Sequence, residues 1–363
     1  MKSAFITGST GFVGKNLLKS LVNSTELKEF YLLVRNIEKA RKGLSEIIKE
    51  AAKISKKIIL LKGDITHKNL KLSKKNIFLI KNVEEIYHLA AIISLSKKNR
   101  NNTLKINLGG TINLFNTFKD FNNLKNVYYF STGYICGRGK QIVKEKWITD
   151  KKEFRNPYEE SKYLAEIFIN KFIKNYNIPI IIIRPTIIGT NDKLNYKDLI
   201  NQTVYYYADI LRKAASLQEK NVQITLVGKP DVTFNMIMIE DLIKILIKIR
   251  TLKQKSQVYN LASKSNFSVI SYLKGINDAI NFESDYKFAN TVNFNNPTIT
   301  ENFINEKTKN YFEYNLDSYI KWGIQNSEEI RKELKIKDRD DEWIKNHIKD
   351  FLLYTKNESI EKV

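Results

Sequence analysis

Short apolar runs alternate with amphipathic, helix-like stretches through the first half of the chain. Runs rich in Ile, Val, Leu, Tyr or Phe predict six strands, at Ser3 to Thr7, Glu29 to Val34, Lys57 to Lys62, Glu85 to Leu89, Asn126 to Ser131 and Pro179 to Ile183. Apolar residues at helical spacing predict helices between them, including Phe12 to Val22, Asn107 to Phe121 and Tyr158 to Asn175. Because strands that alternate with helices form βαβ units, we predict an α/β fold built on a doubly wound parallel sheet.

The alternation loosens after Arg184-Pro185 and ends near Ser263. The intervening pattern predicts two more helices and two more strands, at Asp198 to Leu217, Gln223 to Val227, Ile239 to Arg250 and Gln257 to Leu261. The remaining chain is polar and mainly helical, and ends in a predicted helix from Asp340 to Tyr354. We therefore expect a first domain over residues 1–262, with substrate-lobe insertions after residue 185, and a smaller helical substrate lobe over residues 263–363.

The first predicted strand runs directly into a glycine-rich turn and then into a helix. The turn reads Gly8-Ser9-Thr10-Gly11-Phe12-Val13-Gly14. Gly8 suits a tight bend, Gly11 lets the backbone approach a pyrophosphate at the helix N-terminus, and Gly14 permits close packing of helix on strand. A strand before the turn and a helix after it make this a Rossmann dinucleotide-binding signature.

The end of the second predicted strand indicates which dinucleotide binds. An NAD-binding site commonly places a carboxylate there for the ribose 2′-hydroxyl, whereas this strand is followed by Arg35. A guanidinium suits a 2′-phosphate, so we expect NADPH to be preferred over NADH. Asp64-Ile65 follows the third strand, where a side chain can reach the adenine, and Leu89-Ala90-Ala91 ends the fourth, where small residues let the cofactor pass. His88 is expected to be structural.

Tyr158 is the one tyrosine with a lysine four residues later, at Lys162. On a helix the two side chains share a face, and a nearby ammonium lowers the pKa of a phenol towards neutrality. Ser131-Thr132 ends the fifth strand and could face the same carbonyl group. These residues are the candidates for acid–base chemistry.

In this order the motifs resemble those of the extended short-chain dehydrogenases/reductases, within the NAD-dependent epimerase/dehydratase superfamily, over roughly residues 1–260. The resemblance rests on the three glycines, Asp64, His88-Leu89-Ala90-Ala91, Asn107 with Gly110-Thr111, Ser131-Thr132, Tyr158 with Lys162, and Arg184-Pro185. Within the superfamily, further segments are similar to those of the branch that holds fatty acyl-CoA reductases and thioester-reductase domains. These segments are Tyr31 to Arg35, Ala40-Arg41, Gly63-Asp64-Ile65 and Leu70 to Ser73.

The resemblance implies hydride transfer from NADPH to an acyl thioester, which gives an aldehyde or, after a second round, an alcohol. Thr132 would hydrogen-bond the carbonyl oxygen, Tyr158 would protonate it, and Lys162 would hold the nicotinamide ribose. Asn107 would complete a proton relay, and Ser131 is the reserve candidate for Thr132. Pro185 would lie against the cofactor.

Two other functions stay open. A nucleotide-sugar epimerase or reductase, or another carbonyl oxidoreductase, uses the same Tyr, Lys and Thr, although Arg35 and Gly133-Tyr134 count against sugar chemistry. A non-catalytic NADP-binding sensor keeps the fold without the reaction, and the intact Thr132, Tyr158 and Lys162 argue against it.

Composition and charge limit the kinds of ligand and partner that we expect. The 363 residues include 61 Lys and Arg against 39 Asp and Glu, giving a net charge of +22, with three His and one Cys. The cations are spread along the chain, so nucleic-acid binding is not expected, and the apolar runs are too short for a membrane span. We expect a cytoplasmic protein without a metal, a substrate carried by coenzyme A or by a separate acidic acyl-carrier protein, and possible homodimers.

Overall fold

The computed structural model of the chain describes residues 2–139, 141–150, 153–176, 178–193, 196–200, 202–215, 223–252, 256–281, 286–291, 297–316 and 319–360. Its strands, in chain order, are β1 (Ser3–Thr7), β2 (Glu29–Val34), β3 (Lys57–Lys62), β4 (Glu85–His88), β5 (Asn126–Phe130), β6 (Gln141–Val143), β7 (Ile180–Pro185), β8 (Ile187–Gly189), β9 (Ile224–Val227), β10 (Thr233–Phe234), β11 (Met236–Met238), β12 (Gln257–Leu261), β13 (Phe267–Ser268), β14 (Tyr286–Ala289) and β15 (Ile320–Trp322).

The helices pack on both sides of these strands and in the C-terminal lobe. They are α1 (Phe12–Ser24), α2 (Ile37–Gly43), α3 (Ser45–Lys53), α4 (Lys74–Leu79), α5 (Arg100–Leu104), α6 (Gly110–Phe118), α7 (Pro157–Ile173), α8 (Tyr196–Leu199), α9 (Thr203–Ala215), α10 (Ile239–Thr251), α11 (Val269–Ile280), α12 (Ile299–Thr308), α13 (Phe312–Leu316), α14 (Gln325–Glu333) and α15 (Asp341–Ile360). None of the helices in the described part of the chain has the length and apolar character that spanning a bilayer requires.

Seven parallel strands form the central sheet, in the order β12-β7-β5-β4-β1-β2-β3. The six strands predicted from the first half of the sequence are all in it, which confirms the α/β doubly wound fold. β12 is the seventh strand, because Val258 and Tyr259 pair in register with Ile182 and Ile183 of β7. All the carboxyl ends therefore lie along one edge, where such folds bind ligands.

Two of the predicted helices differ most from the observed ones. The predicted helix from Asp198 to Leu217 is two helices, α8 and α9, and Thr203 at the break has a φ of +39°. Residues 216 and 217 of that prediction lie outside the described residues. The predicted helix at Asn107 starts earlier, because α5 continues through a π-helical turn at Lys105–Gly109 into α6. Single π-helical turns of this kind are frequent at functional sites.

Two apolar cores cover the two faces of the sheet. One packs Leu18 of α1 and Leu246 of α10 against strand residues such as Ile6, all of them fully buried. The other packs α6 and α7 against the opposite face, with Phe115 and Phe172 meeting edge to face at 4.9 Å. Since parallel sheets are stable when both faces are covered, these cores hold the carboxyl edge in place.

A third core forms the lobe above that edge. It contains Tyr205 and Leu226, which precede β12 in the chain, together with Tyr272 and Phe351, which follow it. The predicted periodicity of the last helix is confirmed, because Ile344, Ile348, Phe351 and Leu352 of α15 are buried in this core. The predicted domain boundary between residues 262 and 263 stays a prediction.

The glycine turn predicts how stability responds to substitution. A Cβ atom at Gly14 would lie 2.1 Å from the Gly8 carbonyl oxygen, so Gly14→Ala must push α1 away from β1. We expect the free energy of unfolding to fall by about 1–3 kcal/mol, as for an overpacked core, when measured by urea denaturation.

Gly43→Ala is the matched control. Gly43 ends α2, and nothing lies within 4 Å of a Cβ atom built there. This variant should be as stable as the wild type or slightly more so. Equal stability of the two alanine variants would contradict the predicted contact.

Candidate active site

The glycine-rich turn after β1 adopts the conformation that its sequence predicts. Gly8 has a φ of +75°, and a Cβ atom there would lie 2.7 Å from the Ala90 amide nitrogen at the end of β4. The Gly11 N–H donates to the Gly8 carbonyl at 3.1 Å, which closes the turn just before α1 begins. Gly8 and Gly14 are therefore required by backbone geometry, as the sequence indicated.

The N-terminus of α1 is suited to an anion. Its first turn, Phe12 to Lys15, contains no acid, and Gly11 before it supplies no side chain that could cap the free N–H groups. The Ser9 hydroxyl is buried and has no hydrogen-bond partner among the residues that the structure describes. Free backbone N–H groups beside an unpaired buried hydroxyl fit the diphosphate of a dinucleotide.

Arg35 and Asp64 lie near each other at the ends of β2 and β3. Arg35 is exposed, and its charge is one of those that act on Asp64. Burial opposes ionisation of Asp64, but hydrogen bonds from the Thr66 backbone N–H and hydroxyl, both at 2.8 Å, help hold its pKa below the usual value. Ile65 packs against the helix side of the cleft, where a Cβ atom at Gly110 would lie 2.7 Å from its Cδ1.

The end of β4 is tied to the glycine turn. The Thr7 carbonyl accepts from the Leu89 N–H, and the Thr7 hydroxyl accepts from the Ala90 N–H, each at 3.2 Å. His88 lies between the hydroxyls of Thr7, at 2.7 Å, and Thr111, at 3.1 Å. Burial, with a smaller effect of the Lys162 charge, lowers the pKa of His88 to about 3. His88 is thus neutral and structural, as expected.

Thr132 and Tyr158 line the same cavity, together with Pro185. Thr132 follows β5, and Tyr158 lies in the first turn of α7, where the Asn156 side chain caps the helix by accepting from the Glu159 N–H at 3.0 Å. The Ser131 hydroxyl is buried and has no hydrogen-bond partner within the described part of the chain. The structure therefore brings Thr132, and not the reserve candidate Ser131, to the cavity with Tyr158.

The predicted lowering of the Tyr158 pKa is wrong for this structure. Burial raises the pKa of Tyr158 to about 12, against the effect of a hydrogen bond with Thr132. The Lys162 ammonium donates to the Phe130 carbonyl at 2.6 Å, and burial lowers its own pKa to about 7. Both groups are driven towards their neutral forms, so Tyr158 holds its proton at neutral pH and can act as an acid.

Asn107 is buried in the π-helical turn, and its amide is engaged on both sides. It accepts from the Ile92 N–H at 2.9 Å and donates to the Ile92 carbonyl at 3.0 Å and the Ser161 hydroxyl at 2.9 Å. These bonds fix the loop after β4 against α7. The structure thus gives Asn107 a positioning contact, and its role in a proton relay stays a prediction.

The cavity that contains the two hydroxyls has a volume of about 360 Å³. Most of its lining was not predicted from the sequence, because it comes from separated segments of the chain. The lining includes Ile93, Leu95, Tyr134, Tyr207, Leu226, Phe234, Val269, Tyr272, Leu273, Phe288, Tyr311 and Tyr314. Many of these positions lie beyond residue 190, where no motif is evident. The apolar and aromatic composition of those segments was the available signal.

Comparison with known proteins agrees with this geometry. A family model described as "Male sterility protein" matches residues 6–245. Fatty acyl-CoA reductase 1 of Xenopus laevis is 26% identical over 230 residues, which cover 53% of this chain and 44% of the relative. dTDP-D-glucose 4,6-dehydratase of Mus musculus is 23% identical over 276 residues, which cover 75% of this chain and 71% of the relative. The match thus spans less than half the length of the fatty acyl-CoA reductase.

Solved structures share the fold over nearly the whole chain. The terminal R domain from the myxalamid PKS-NRPS biosynthetic pathway has a TM-score of 0.76 at 16% identity, over 99% of this chain and 92% of that chain. UDP-glucuronic acid 4-epimerase from Bacillus cereus, in complex with UDP-glucuronic acid and NAD, has a TM-score of 0.67 at 15% identity, over 96% of this chain and 98% of that chain. The resemblance inferred from the sequence motifs is confirmed: the chain belongs to the male sterility protein family, within the NAD(P)-binding extended short-chain dehydrogenase/reductase superfamily.

Proposed function

We propose that the protein is an NADPH-dependent reductase of acyl thioesters. The observation that carries this proposal is the cavity, in which Thr132 and Tyr158 share an otherwise largely apolar and aromatic lining. An acyl chain can be buried by such a lining while its carbonyl oxygen is bound by the two hydroxyls. Relatives named as fatty acyl-CoA reductases support the same substrate class.

The lining favours this function over nucleotide-sugar chemistry. A nucleotide sugar brings two phosphates and several hydroxyls, which need cations and hydrogen-bonding side chains when buried. Among the described residues around the cavity, Lys229 is the one with a cationic side chain. Phe234, Leu273 and Phe288 offer a sugar no hydrogen bond.

The residues at the carbonyl end have separate tasks. Thr132 hydrogen-bonds the thioester oxygen, and Tyr158, which is a protonated phenol at neutral pH, gives that oxygen its proton as negative charge develops. When bound, NADPH supplies the hydride that adds to the carbonyl carbon. The resulting hemithioacetal loses its thiol to give an aldehyde, and a second hydride and proton would give an alcohol.

NADPH is proposed over NADH because of Arg35. The guanidinium is exposed at the end of β2, beside the carboxylate of Asp64, at the place where the ribose of a Rossmann dinucleotide lies. A fixed positive charge there binds a 2′-phosphate and gives nothing comparable to a 2′-hydroxyl.

The acyl group is proposed to arrive on coenzyme A or on a separate acidic acyl-carrier protein. Both are anionic, and the chain has a net charge of +22. Long-range attraction between opposite charges accelerates encounter and weakens as salt is added. Carrier-bound substrate should therefore lose more activity with salt than a short neutral thioester.

Replacement of Tyr158 tests the reaction. The purified protein should oxidise NADPH in the presence of acyl-CoA or carrier-bound acyl thioesters, and Tyr158→Phe should lower kcat by on the order of 10²–10⁴-fold, because the acid is lost. NADPH absorbance and aldehyde formation are the measurements, and NADPH binding by Tyr158→Phe should be unchanged.

Tyr163→Phe is the matched control. Tyr163 lies in the same helix, and its hydroxyl donates to the Asp150 carbonyl at 2.8 Å, away from the cavity lining. Its activity should remain close to that of the wild type. Turnover of UDP- or dTDP-sugars, with none of any thioester, would refute the proposed substrate class, and NADPH binding without any turnover would favour a sensor.

Replacement of Arg35 tests the cofactor preference. Arg35→Ala should weaken NADPH binding by on the order of tenfold, the loss expected for a hydrogen bond between charged groups, and should leave NADH binding unchanged. Titration of nucleotide fluorescence gives both Kd values. Lys53→Ala, which removes an exposed cation from the end of α3, should leave both Kd values unchanged. An equal effect of Arg35→Ala on the two nucleotides would contradict a 2′-phosphate contact.

The buried Lys162 makes stability depend on pH. Its pKa is about 7 in the folded protein, against 10.5 for a lysine exposed to water, so the unfolded chain binds more protons between these values. The Lys162 contribution therefore makes the free energy of unfolding rise as pH increases above about 7. Urea denaturation of wild type and Lys162→Met between about pH 7 and 9 should show curves that diverge with pH. Parallel curves would mean that the ammonium is not buried as described.

A further inference from the structure

We propose that Tyr314, on α13 of the C-terminal lobe, is the positioning residue that holds the first turn of α7, and thereby Tyr158, against the substrate cavity. The effect on turnover rests on the reductase function proposed above. The contacts themselves do not depend on that function. Neither the motifs in the sequence nor the matched region, residues 6–245, extends to Tyr314.

The hydroxyl of Tyr314 joins the two residues that flank Pro157 and Tyr158. It donates to the Glu159 carboxylate at 2.6 Å and accepts from the Asn156 amide at 2.6 Å. Asn156 is the residue that caps α7, and Glu159 directly follows Tyr158. One hydroxyl of the lobe therefore ties down both sides of the turn that carries the proposed acid.

Removing the Tyr314 hydroxyl would leave the buried Glu159 carboxylate without one of its hydrogen bonds. The carboxylate is fully buried, and it lies 3.5 Å from the Arg155 guanidinium, which is also buried. The backbone N–H of Arg155 donates to the other oxygen of the Glu159 carboxylate, Oε2, at 3.2 Å. Because a buried ion pair is stable only when its remaining polar atoms are hydrogen-bonded, the Tyr314 hydroxyl completes the set around Glu159.

The ring of Tyr314 has a second role, as part of the cavity wall. It meets the Tyr134 ring edge to face at 5.6 Å, and the Arg155 guanidinium lies 5.2 Å from its centroid. Both tyrosines line the cavity with Tyr158. The ring can thus contact substrate, while the hydroxyl acts through Glu159 and Asn156.

The rest of α13 is anchored to the same region. Glu313 forms two ion pairs. Its partners are Lys97, which follows β4 and lies 3.6 Å away, and Arg138, which follows β5. The Asn315 amide donates to the Val227 carbonyl at 3.2 Å, at the end of β9. Tyr314 is therefore held from both sides, so it can transmit the placement of the lobe to α7.

Removal of the hydroxyl alone separates these two roles. Tyr314→Phe keeps the ring, so KM for the thioester should stay within about twofold, and kcat should fall by on the order of tenfold, because a small misplacement of a reacting group is costly. Tyr206→Phe is the control, since the contact of that hydroxyl with the Lys307 carbonyl, at 3.3 Å, is exposed. Its kcat and KM should equal those of the wild type.

Hydrogen exchange tests the contact independently of the reaction. Backbone amides in the first turn of α7, at residues 158–161, should exchange faster in Tyr314→Phe than in the wild type or Tyr206→Phe, and amides of the central sheet should be unaffected. The double variant Tyr314→Phe/Glu159→Gln should lose less kcat than the two single variants together would predict, because the Tyr314 hydroxyl acts through Glu159.

The outcomes are separable. Unchanged exchange at residues 158–161 in Tyr314→Phe would overturn the positioning role, whatever the substrate. Faster exchange in a protein that reduces no thioester would support the positioning role and refute the proposed function. Equal falls in kcat for Tyr314→Phe and Tyr206→Phe would also overturn it.

Discussion

Parallel pairing of the seven strands is the constraint on which the rest of the structure depends. Because every strand runs in the same direction, each one delivers the residue after its carboxyl end to a single edge. The glycine turn follows β1, Arg35 follows β2, Ala90 lies beyond β4 and Thr132 lies just beyond β5. Residues that are far apart in the sequence become neighbours without any direct attraction between them. The bonds from Thr7 to Leu89 and Ala90 then join two of these strand ends.

Burial is the second influence on the site. Lys162 and His88 are buried and Tyr158 is half-buried at the cavity wall, and each is driven towards its neutral form. The sheet also contains a fully buried ion pair, in which Arg184 binds Glu166 of α7 with contacts of 3.0 and 2.5 Å. That pair anchors α7 to β7 further along the helix than Tyr158, whereas the Tyr314 network holds the first turn on both sides of Tyr158. Contacts thus fix the helix at its first turn, around Tyr158, and again further along at Glu166.

Much of the fold was predictable, because its signals are local. Gly8 and Gly14 follow from strand, turn and helix in succession, and the six apolar runs give the strands to within a few residues. The break before Thr203 was not predictable, because the apolar spacing continues across it. The pKa of Tyr158 was predicted in the wrong direction, since the spacing to Lys162 reveals proximity but not burial. Tyr314 gave no signal, because its partners lie more than a hundred residues away in sequence and its role exists only in the folded chain.

The path of the chain through the third core has a consequence for folding. After β7 the chain leaves the sheet to build half of the lobe, returns to add β12 beside β7, and leaves again to finish the lobe. Pairing of the edge strand therefore closes a long loop, and the two halves of the lobe pack against each other across the same interruption. Such non-local contacts raise the contact order and slow folding. Because β12 separates the two segments that build the lobe, replacing the lobe as a whole would require exchanging both segments, whereas a point substitution in the cavity lining leaves the strand pairing intact.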